Sequence, residues 1–185
     1  MRASDPSLVA AGRRMAVISD SIVTEWADWL GDRMVASGAI PRPTVERTFR
    51  LIIDVLNQTV GPLRREVKDL WRRTFEHYGR MAAARGLASG EVVEEIMVLR
   101  QLLIRNLAPV LARMRNRQAM AMVLRLNAEL DRGAATAVVS YTDALVATIF
   151  ARNGVPAPDT NLDLGEVERQ IEILEQELAT LTQPH

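Results

Sequence analysis

Apolar side chains repeat with heptad spacing near the C-terminus of this 185-residue chain. They follow one another at intervals of three, four, three, four and three residues: Leu164, Val167, Ile171, Leu174, Leu178 and Leu181. A helix with this spacing carries one apolar stripe and must bury it against another helix. We therefore predict that residues 162–182 form a coiled-coil signalling helix that pairs with its own copy in a parallel homodimer. The alternative is that this helix folds back onto the rest of the chain.

The part of the chain before this stripe has the composition of a helical protein. Hydrophobic residues make up 48% of the chain and aromatic residues only 4%, and Ala, Leu, Arg, Glu and Met are plentiful. These are strong helix formers. We predict an all-α fold, an antiparallel bundle of about five helices of which a globin-like arrangement is one form. The bundle would occupy residues 1–153, and residues 154–161, which include two prolines, would link it to the coiled-coil helix.

Prolines, glycines and capping residues divide the bundle into its helices. Apolar residues recur every three or four positions between these breaks, which is typical of helices with one buried face. The predicted helices cover residues 6–38, 45–60, 62–85, 89–114 and 116–152.

The charge balance and the absence of cysteine exclude several classes of function. Lys and Arg together number 23, and so do Asp and Glu, so no net field attracts nucleic acid or an anionic membrane. The chain contains no cysteine, which fits a reducing compartment. No uncharged apolar run reaches the roughly 18 residues of a membrane span. We expect a cytoplasmic protein without nucleic-acid or membrane partners.

Residues for catalysis or metal binding are scarce. His77 is the only histidine before the terminal His185, and Thr74, three residues before it, cannot complete a di-iron motif. No phosphate-binding loop, nucleophile elbow or dinucleotide fingerprint is present. We expect no enzymatic activity, no metal site and no obligatory cofactor.

Three interpretations of His77 remain open. It lies on a predicted helix with Arg80 three residues later. An exposed imidazole could accept a phosphoryl group in a phosphotransfer module, with the cation steadying the phosphoryl oxygens. An imidazole beside a cavity could be an axial ligand of haem. A buried imidazole would be a structural residue between helices.

The segment from His77 to Arg100 resembles the RsbRD-type N-terminal domain of the RsbT co-antagonist family. The similar positions are His77, Arg80, Gly86, Leu87, Glu94, Glu95, Leu99 and Arg100. Residues 140–146 are similar to the closing helix of that family, so the resemblance spans about residues 10–152. It implies a helical sensor domain of the kind that precedes histidine kinases, diguanylate cyclases and stressosome-type output domains.

The charged residues of this segment are candidates for a ligand or switch site. They are His77, Arg80, Arg85, Glu94, Glu95 and Arg100. Charged networks within a bundle can have two discrete arrangements whose balance a ligand or proton shifts. We therefore expect a dimeric sensory or regulatory input domain of a bacterial signalling protein, in which the coiled coil transmits a change to an output domain in the same chain or in a partner.

Overall fold

The computed structural model describes residues 6–31, 40–60, 63, 65–153 and 164–183, with side chains from residue 15 onward. Throughout these ranges the regular secondary structure is α-helical, and strands are absent from them. The helices are α1 (Pro6–Gly31), α2 (Arg42–Val60), α3 (Lys68–Ala84), α4 (Ser89–Leu111), α5 (Asn116–Arg152) and α6 (Leu164–Thr182). The predicted all-α class is confirmed. The predicted end of α1 near residue 38 and the linker at 154–161 lie outside the described residues.

The observed helix boundaries differ from the predicted ones mainly at N-termini. α5 has the predicted bounds. α2 begins three residues early because the carbonyl of Pro41 accepts hydrogen bonds from the amides of Thr44 and Val45, at 3.0 and 3.2 Å. Its first turn therefore contains Pro43, which is tolerated there since the first amides of a helix need no partner in the helix. α3 begins at Lys68, after a separate turn.

The first three helices form an antiparallel core. Trp26 of α1 stacks on Phe49 of α2, with ring centroids 3.6 Å apart. Asp28 of α1 accepts from Arg42 at the start of α2, at 2.5 Å. The hydroxyl of Thr48 in α2 lies 3.4 Å from the sulfur of a methionine late in α3. The end of α1 thus lies beside the start of α2, and the start of α2 lies beside the end of α3. Consecutive helices therefore run in opposite directions.

α3 and α5 run in the same direction, as alternate helices of an antiparallel bundle do. The indole of Trp71 donates to the carbonyl of Glu129, 58 residues later, at 3.3 Å. One turn further on, Gly133 faces the ring of Phe75 so closely that a β-carbon would lie 2.7 Å from it. Helices separated by one intervening helix share a direction, and the small residues of α5 let this pair approach directly.

α6 lies in the groove between α2 and α3 of the same chain. Val167, Ile171 and Leu174 of its apolar stripe are buried, and Leu178 and Leu181 pack partly buried against the same core. A coiled-coil dimer through this stripe is not confirmed, because the stripe is already covered within one chain. Removing an apolar stripe from water is favourable whichever apolar surface covers it. The structure therefore has the fold-back arrangement that the sequence left as the alternative.

One described helix, α5, is long and apolar enough to span a membrane. An 18-residue window within it has a mean hydropathy of 1.5, and 22% of that window is buried. Asp143 interrupts the apolar half of α5, so it does not count as an uncharged run. Length and composition of a single helix are weak evidence, so this observation alone does not indicate a membrane protein.

Candidate functional site

The six predicted site residues of the His77–Arg100 segment do not form one cluster. Arg85 and Glu95 meet in a buried ion pair between α3 and α4. His77 and Arg80 lie on another face of α3, beside α6. Arg100 pairs with Asp131 of α5 instead. Glu94 is exposed on α4.

Arg85 and Glu95 form a bidentate ion pair that is almost inaccessible to solvent. Nη1 of Arg85 donates to Oε2 of Glu95 at 3.0 Å, and Nη2 donates to Oε1 at 2.8 Å. Both side chains are only 2% exposed. The planar fork of a guanidinium matches a carboxylate in this geometry. Removing either partner would leave a buried charge uncompensated, which costs far more than an exposed ion pair contributes.

Tyr78 completes this cluster, and the sequence reasoning had assigned it only to the apolar core. Its hydroxyl donates to Oε2 of Glu95, the oxygen that also accepts from Arg85. Burial raises the pKa of Tyr78 well above its ordinary value, and the adjacent carboxylate of Glu95 raises the pKa further. The phenol is therefore a permanent donor. A tyrosine in an otherwise apolar stripe was the available signal, since buried tyrosine hydroxyls usually find a partner.

Aromatic rings surround the polar cluster of Tyr78, Arg85 and Glu95, which we call the buried triad. The ring of Tyr78 lies 6.4 Å from that of Trp26, 6.3 Å from Phe49 and 6.0 Å from Phe75. These rings exclude water and lower the local dielectric constant, so the ion pair is strong but tolerates little displacement. The buried triad is a rigid link between α3 and α4.

The turn between α3 and α4 positions the arginine of the triad. Gly86 has φ of 75°, a left-handed conformation that glycine adopts without strain. The carbonyl of Leu87, the next residue, accepts a hydrogen bond from the hydroxyl of Tyr141 in α5 at 2.6 Å. The turn is thereby tied to α5, and Arg85 at its start is held toward Glu95.

His77 occupies a different and less satisfied environment. Its side chain is 0% exposed, and neither ring nitrogen has a hydrogen-bond partner among the described residues. The pKa of His77 is lowered to about 4, mainly by burial and also by the nearby Arg80, while the carboxylate of Glu166 partly opposes both effects. The imidazole is therefore neutral at physiological pH. Buried polar groups without partners are uncommon and costly.

α6 lies over His77. Arg73 of α3 is paired with Glu177 near the end of α6, and Arg80, two turns later in α3, is close enough to Glu166 at the start of α6 to perturb its pKa. The two helices are thus antiparallel. This register puts His77 at the level of Ile171, in the centre of the buried stripe of α6.

Two of the three interpretations of His77 make structural demands that can be compared with this environment. Phosphotransfer requires an exposed imidazole, and His77 is fully buried. Haem ligation requires a cavity beside the ring. Three surface cavities of about 280 to 340 Å³ are lined by residues elsewhere on the surface. The environment is that of the third interpretation, a buried residue between helices.

One of these cavities, of about 340 Å³, has a cationic lining near the start of α3. It is lined by Thr59, Arg65, Lys68, Trp71, Glu129 and Arg132. Glu129 and Arg132 are paired with each other there. Within the described part of the chain, no group of three or more His, Asp or Glu side chains is placed to hold a metal ion.

The chain has been compared with known proteins by sequence and by fold. No protein-family model matches this sequence, and no curated protein or solved structure is similar enough to match it. The likeness of residues 77–100 to the RsbRD-type domain therefore remains a sequence-based expectation.

Proposed function

We propose that this chain is a sensory or regulatory input domain of a signalling protein, not an enzyme, and that α6 is its output helix. The observation that carries this proposal is the position of α6. A helix with heptad spacing is docked on α2 and α3, directly over a buried histidine whose ring nitrogens lack partners among the described residues. The proposed signal is the release or displacement of α6 from this groove.

The docked position of α6 balances favourable and unfavourable contacts. Burial of Val167, Ile171 and Leu174 favours docking, by about 1.5–3 kcal/mol for each side chain that becomes fully buried. The burial of an unpartnered imidazole opposes it. A ligand or protein that binds the released state more tightly by a few kcal/mol would shift such a balance.

Ion pairs at the edge of the groove set the register of α6 more than its stability. Nε of Arg47 in α2 donates to Glu175 of α6 at 2.9 Å, and Arg73 of α3 pairs with Glu177. All four side chains are about one-third exposed. Ion pairs with this exposure contribute about 0–1 kcal/mol each.

Release would uncover a stripe with the spacing of a dimeric coiled coil. The parallel homodimer expected from the sequence is, in this proposal, the state that follows release. The output would be a kinase, a diguanylate cyclase or a stressosome-type domain, in the same chain or in a partner protein. The resemblance to the RsbRD-type sensor domain supports this class of output, and the absence of cysteine fits the reducing cytoplasm.

The buried triad has a separate role in this proposal. Tyr78 lies in α3, Arg85 directly follows the end of α3, and Glu95 lies in α4, so the triad ties the end of α3 to α4. His77 is on α3 next to Tyr78, but its ring lies beside α6. α3 therefore connects a rigid polar cluster with a displaceable helix.

Hydrogen exchange measured by mass spectrometry on the full chain tests the proposal. Ile171→Asp puts a charge in the centre of the buried stripe, and Ile173→Asp makes the same change at a side chain that is 41% exposed. We expect Ile171→Asp to accelerate exchange throughout 164–182 while α3, α4 and α5 stay protected. We expect Ile173→Asp to leave exchange unchanged.

Two results contradict the proposal. If Ile171→Asp unfolds α3 and α5 together with α6, then α6 is part of the core and not a separable output helix. If Ile171→Asp leaves hydrogen exchange in α6 unchanged, burial of the apolar stripe is not what keeps α6 docked on α2 and α3. Arg47→Glu is a milder second variant that replaces the ion pair with Glu175 by a like-charge contact, and we expect it to accelerate exchange in 164–182 while α3 and α5 stay protected.

A further inference from the structure

The outer face of α5 is apolar although no helix of the described chain covers it. Its exposed large apolar residues are Met120, Leu124, Val139, Leu145, Val146, Ile149 and Phe150. Between residues 133 and 151 the only charged side chain is Asp143. Surface helices normally present a charged outer face. An exposed apolar stripe of this length indicates that something covers it.

The exposed residues are spaced like a helix-pairing stripe. Ala135, Val139, Thr142, Val146 and Ile149 follow at intervals of four, three, four and three residues, and all are exposed. Toward the start of α5 the same spacing leads through Asp131, whose charge is paired with Arg100, and through Ala128 to Leu124. Heptad spacing is the pattern by which one helix packs along another.

α4 widens this apolar face on one side. Arg100 of α4 pairs with Asp131 of α5, and the turn before α4 is bonded to Tyr141, so α4 and α5 are antiparallel neighbours. Val93 and Met97 of α4 are exposed and lie between these two tie points. The face therefore includes parts of two helices.

We propose that this face, formed by the exposed side of α5 with Val93 and Met97 of α4, binds a second copy of the same chain. The dimer would have two α5 helices packed against each other, with the α4 helices alongside. The protein would thus already be a homodimer before α6 is released, through a surface separate from the α6 stripe.

The size of the face is at the lower end of the range of specific dimer interfaces. From Met120 to Phe150 the face is about 45 Å long, and with a helix width of about 10 Å it covers about 450 Å² in projection. The adjoining residues of α4 and the edge of α3 add to it. A standard interface buries about 800 Å² on each partner, and a specific interface needs about 1,000 Å² in total, or about 500 Å² on each partner, which this face reaches with the adjoining residues.

The charges at the edges of the face favour a second copy over a lipid surface. Arg72 and Glu76 of α3 are paired with each other on one side, and Arg100 and Asp131 are paired on the other. Each of these pairs is neutral, and the exposed Asp143 is the single charge that residues 133–151 bring to the face. Helices that lie on membranes usually carry Lys and Arg beside the apolar face, and residues 133–151 contain neither.

The shape of the face favours antiparallel pairing of the two α5 helices. Small residues, Ala134 and Ala135, lie at one end of the stripe, and the large residues Ile149 and Phe150 lie at the other. A groove of about 340 Å³ between α3 and α5 opens beside Ala135 and Val139. A two-fold axis near Thr142 would place the Phe150 ring of each copy next to the groove of the other, so that large side chains meet small ones.

Size-exclusion chromatography with light scattering on the full chain tests this proposal. We expect wild type to be a dimer at micromolar concentration. Val146→Lys is expected to raise the dissociation constant at least about 100-fold, because a lysine in the interface would be buried without a partner. Val17→Lys is the matched control, since Val17 is 73% exposed on α1, and it should leave the dimer intact.

Cysteine cross-linking tests the geometry without background, because the chain has no cysteine of its own. Under oxidation Thr142→Cys is expected to form a disulfide-linked dimer. Ile149→Cys should not, because an antiparallel pair places its two copies about 21 Å apart along the helix. Efficient linkage through Ile149→Cys would overturn the antiparallel arrangement.

Other outcomes overturn the surface itself. A wild-type monomer would do so, as would a dimer that Val146→Lys leaves unchanged. Binding of the monomer to phosphatidylglycerol and phosphatidylcholine vesicles, abolished by Val146→Lys, would assign the face to lipid instead. The test is independent of α6: Val146→Lys should leave hydrogen exchange in 164–182 unchanged, so failure here and failure of the proposed function are distinguishable.

Discussion

Gly79 of α3 is in direct contact with the backbone of Ala137 in α5. A β-carbon at Gly79 would lie 2.2 Å from the carbonyl oxygen of Ala137, far inside van der Waals distance. The contact belongs to the same parallel register as Phe75 on Gly133, one turn earlier. Glycine at this position allows α3 and α5 to approach backbone to backbone.

Replacing Gly79 by alanine should therefore destabilise the protein. The added methyl group meets a backbone carbonyl, which cannot move aside like a flexible side chain, so the two helices must separate. We expect Gly79→Ala to lower the free energy of unfolding by about 2–3 kcal/mol in urea titrations. Gly90→Ala is the matched control, because nothing lies within 4 Å of a β-carbon there. It should be neutral or slightly stabilising, and an equal loss in both variants would contradict the close contact.

The buried triad makes a second prediction about stability. Glu95→Ala leaves Arg85 charged, buried and unpaired, and also removes the acceptor of the Tyr78 hydroxyl. We expect a loss of about 3–5 kcal/mol in the free energy of unfolding. The adjacent Glu94→Ala, at an exposed position, should change it by no more than about 0.5 kcal/mol.

A milder substitution keeps the triad prediction testable where Glu95→Ala yields no folded protein. Tyr78→Phe removes one hydrogen bond to Glu95 and leaves the ion pair with Arg85 in place. It should cost about 1–2 kcal/mol. A neutral Tyr78→Phe would show that the hydroxyl does not contribute to the triad.

His77 makes the stability of the fold depend on pH. Its pKa is about 4 in the folded protein, against an ordinary value of 6.5, so the unfolded chain takes up a proton first as the pH falls. The stability due to the neutral buried ring is present above pH 6.5 and is lost as the pH falls toward 4. Between pH 7 and pH 5 we expect a loss of about 2 kcal/mol from this residue.

His77→Leu isolates this effect from the titration of carboxylates, which is common to both proteins. Urea titrations at pH 7 and pH 5 should show a smaller loss of stability in the variant, by the stated amount. Arg80 and Glu166, the charged residues beside the ring, are present in both proteins, so their own titration cancels in the comparison. An identical loss in both proteins would show that His77 is protonated as easily when folded as when unfolded.

Local patterns in the chain were sufficient to predict the elements of this fold. Apolar residues every three or four positions indicated helices, and the bounds of α5 at 116–152 were predicted as observed. The same reasoning identified the apolar stripe of α6 from Leu164 to Leu181. Helical periodicity depends on residues that are close together in the chain, so it can be recognised from the sequence alone.

The candidate site was predictable only in part. Arg85 and Glu95 were recognised as candidates, but Tyr78, which bonds to the same carboxylate, was hidden within an apolar stripe. Arg100 was grouped with them and pairs with Asp131 instead. Ion pairs form between side chains that the packing of helices brings together, and sequence spacing does not specify that packing.

The chain's periodicity therefore determines which helices form and which of their faces are apolar, whereas the partners of those faces are a property of the folded molecule. The stripe of α6 was expected to meet a second copy, and it packs on α2 and α3. α5 was expected to be a bundle helix, and half of it has an uncovered apolar side. The reason is physical: hydrophobic burial is proportional to the area covered and has no direction, so any apolar surface of the right shape can cover a given stripe.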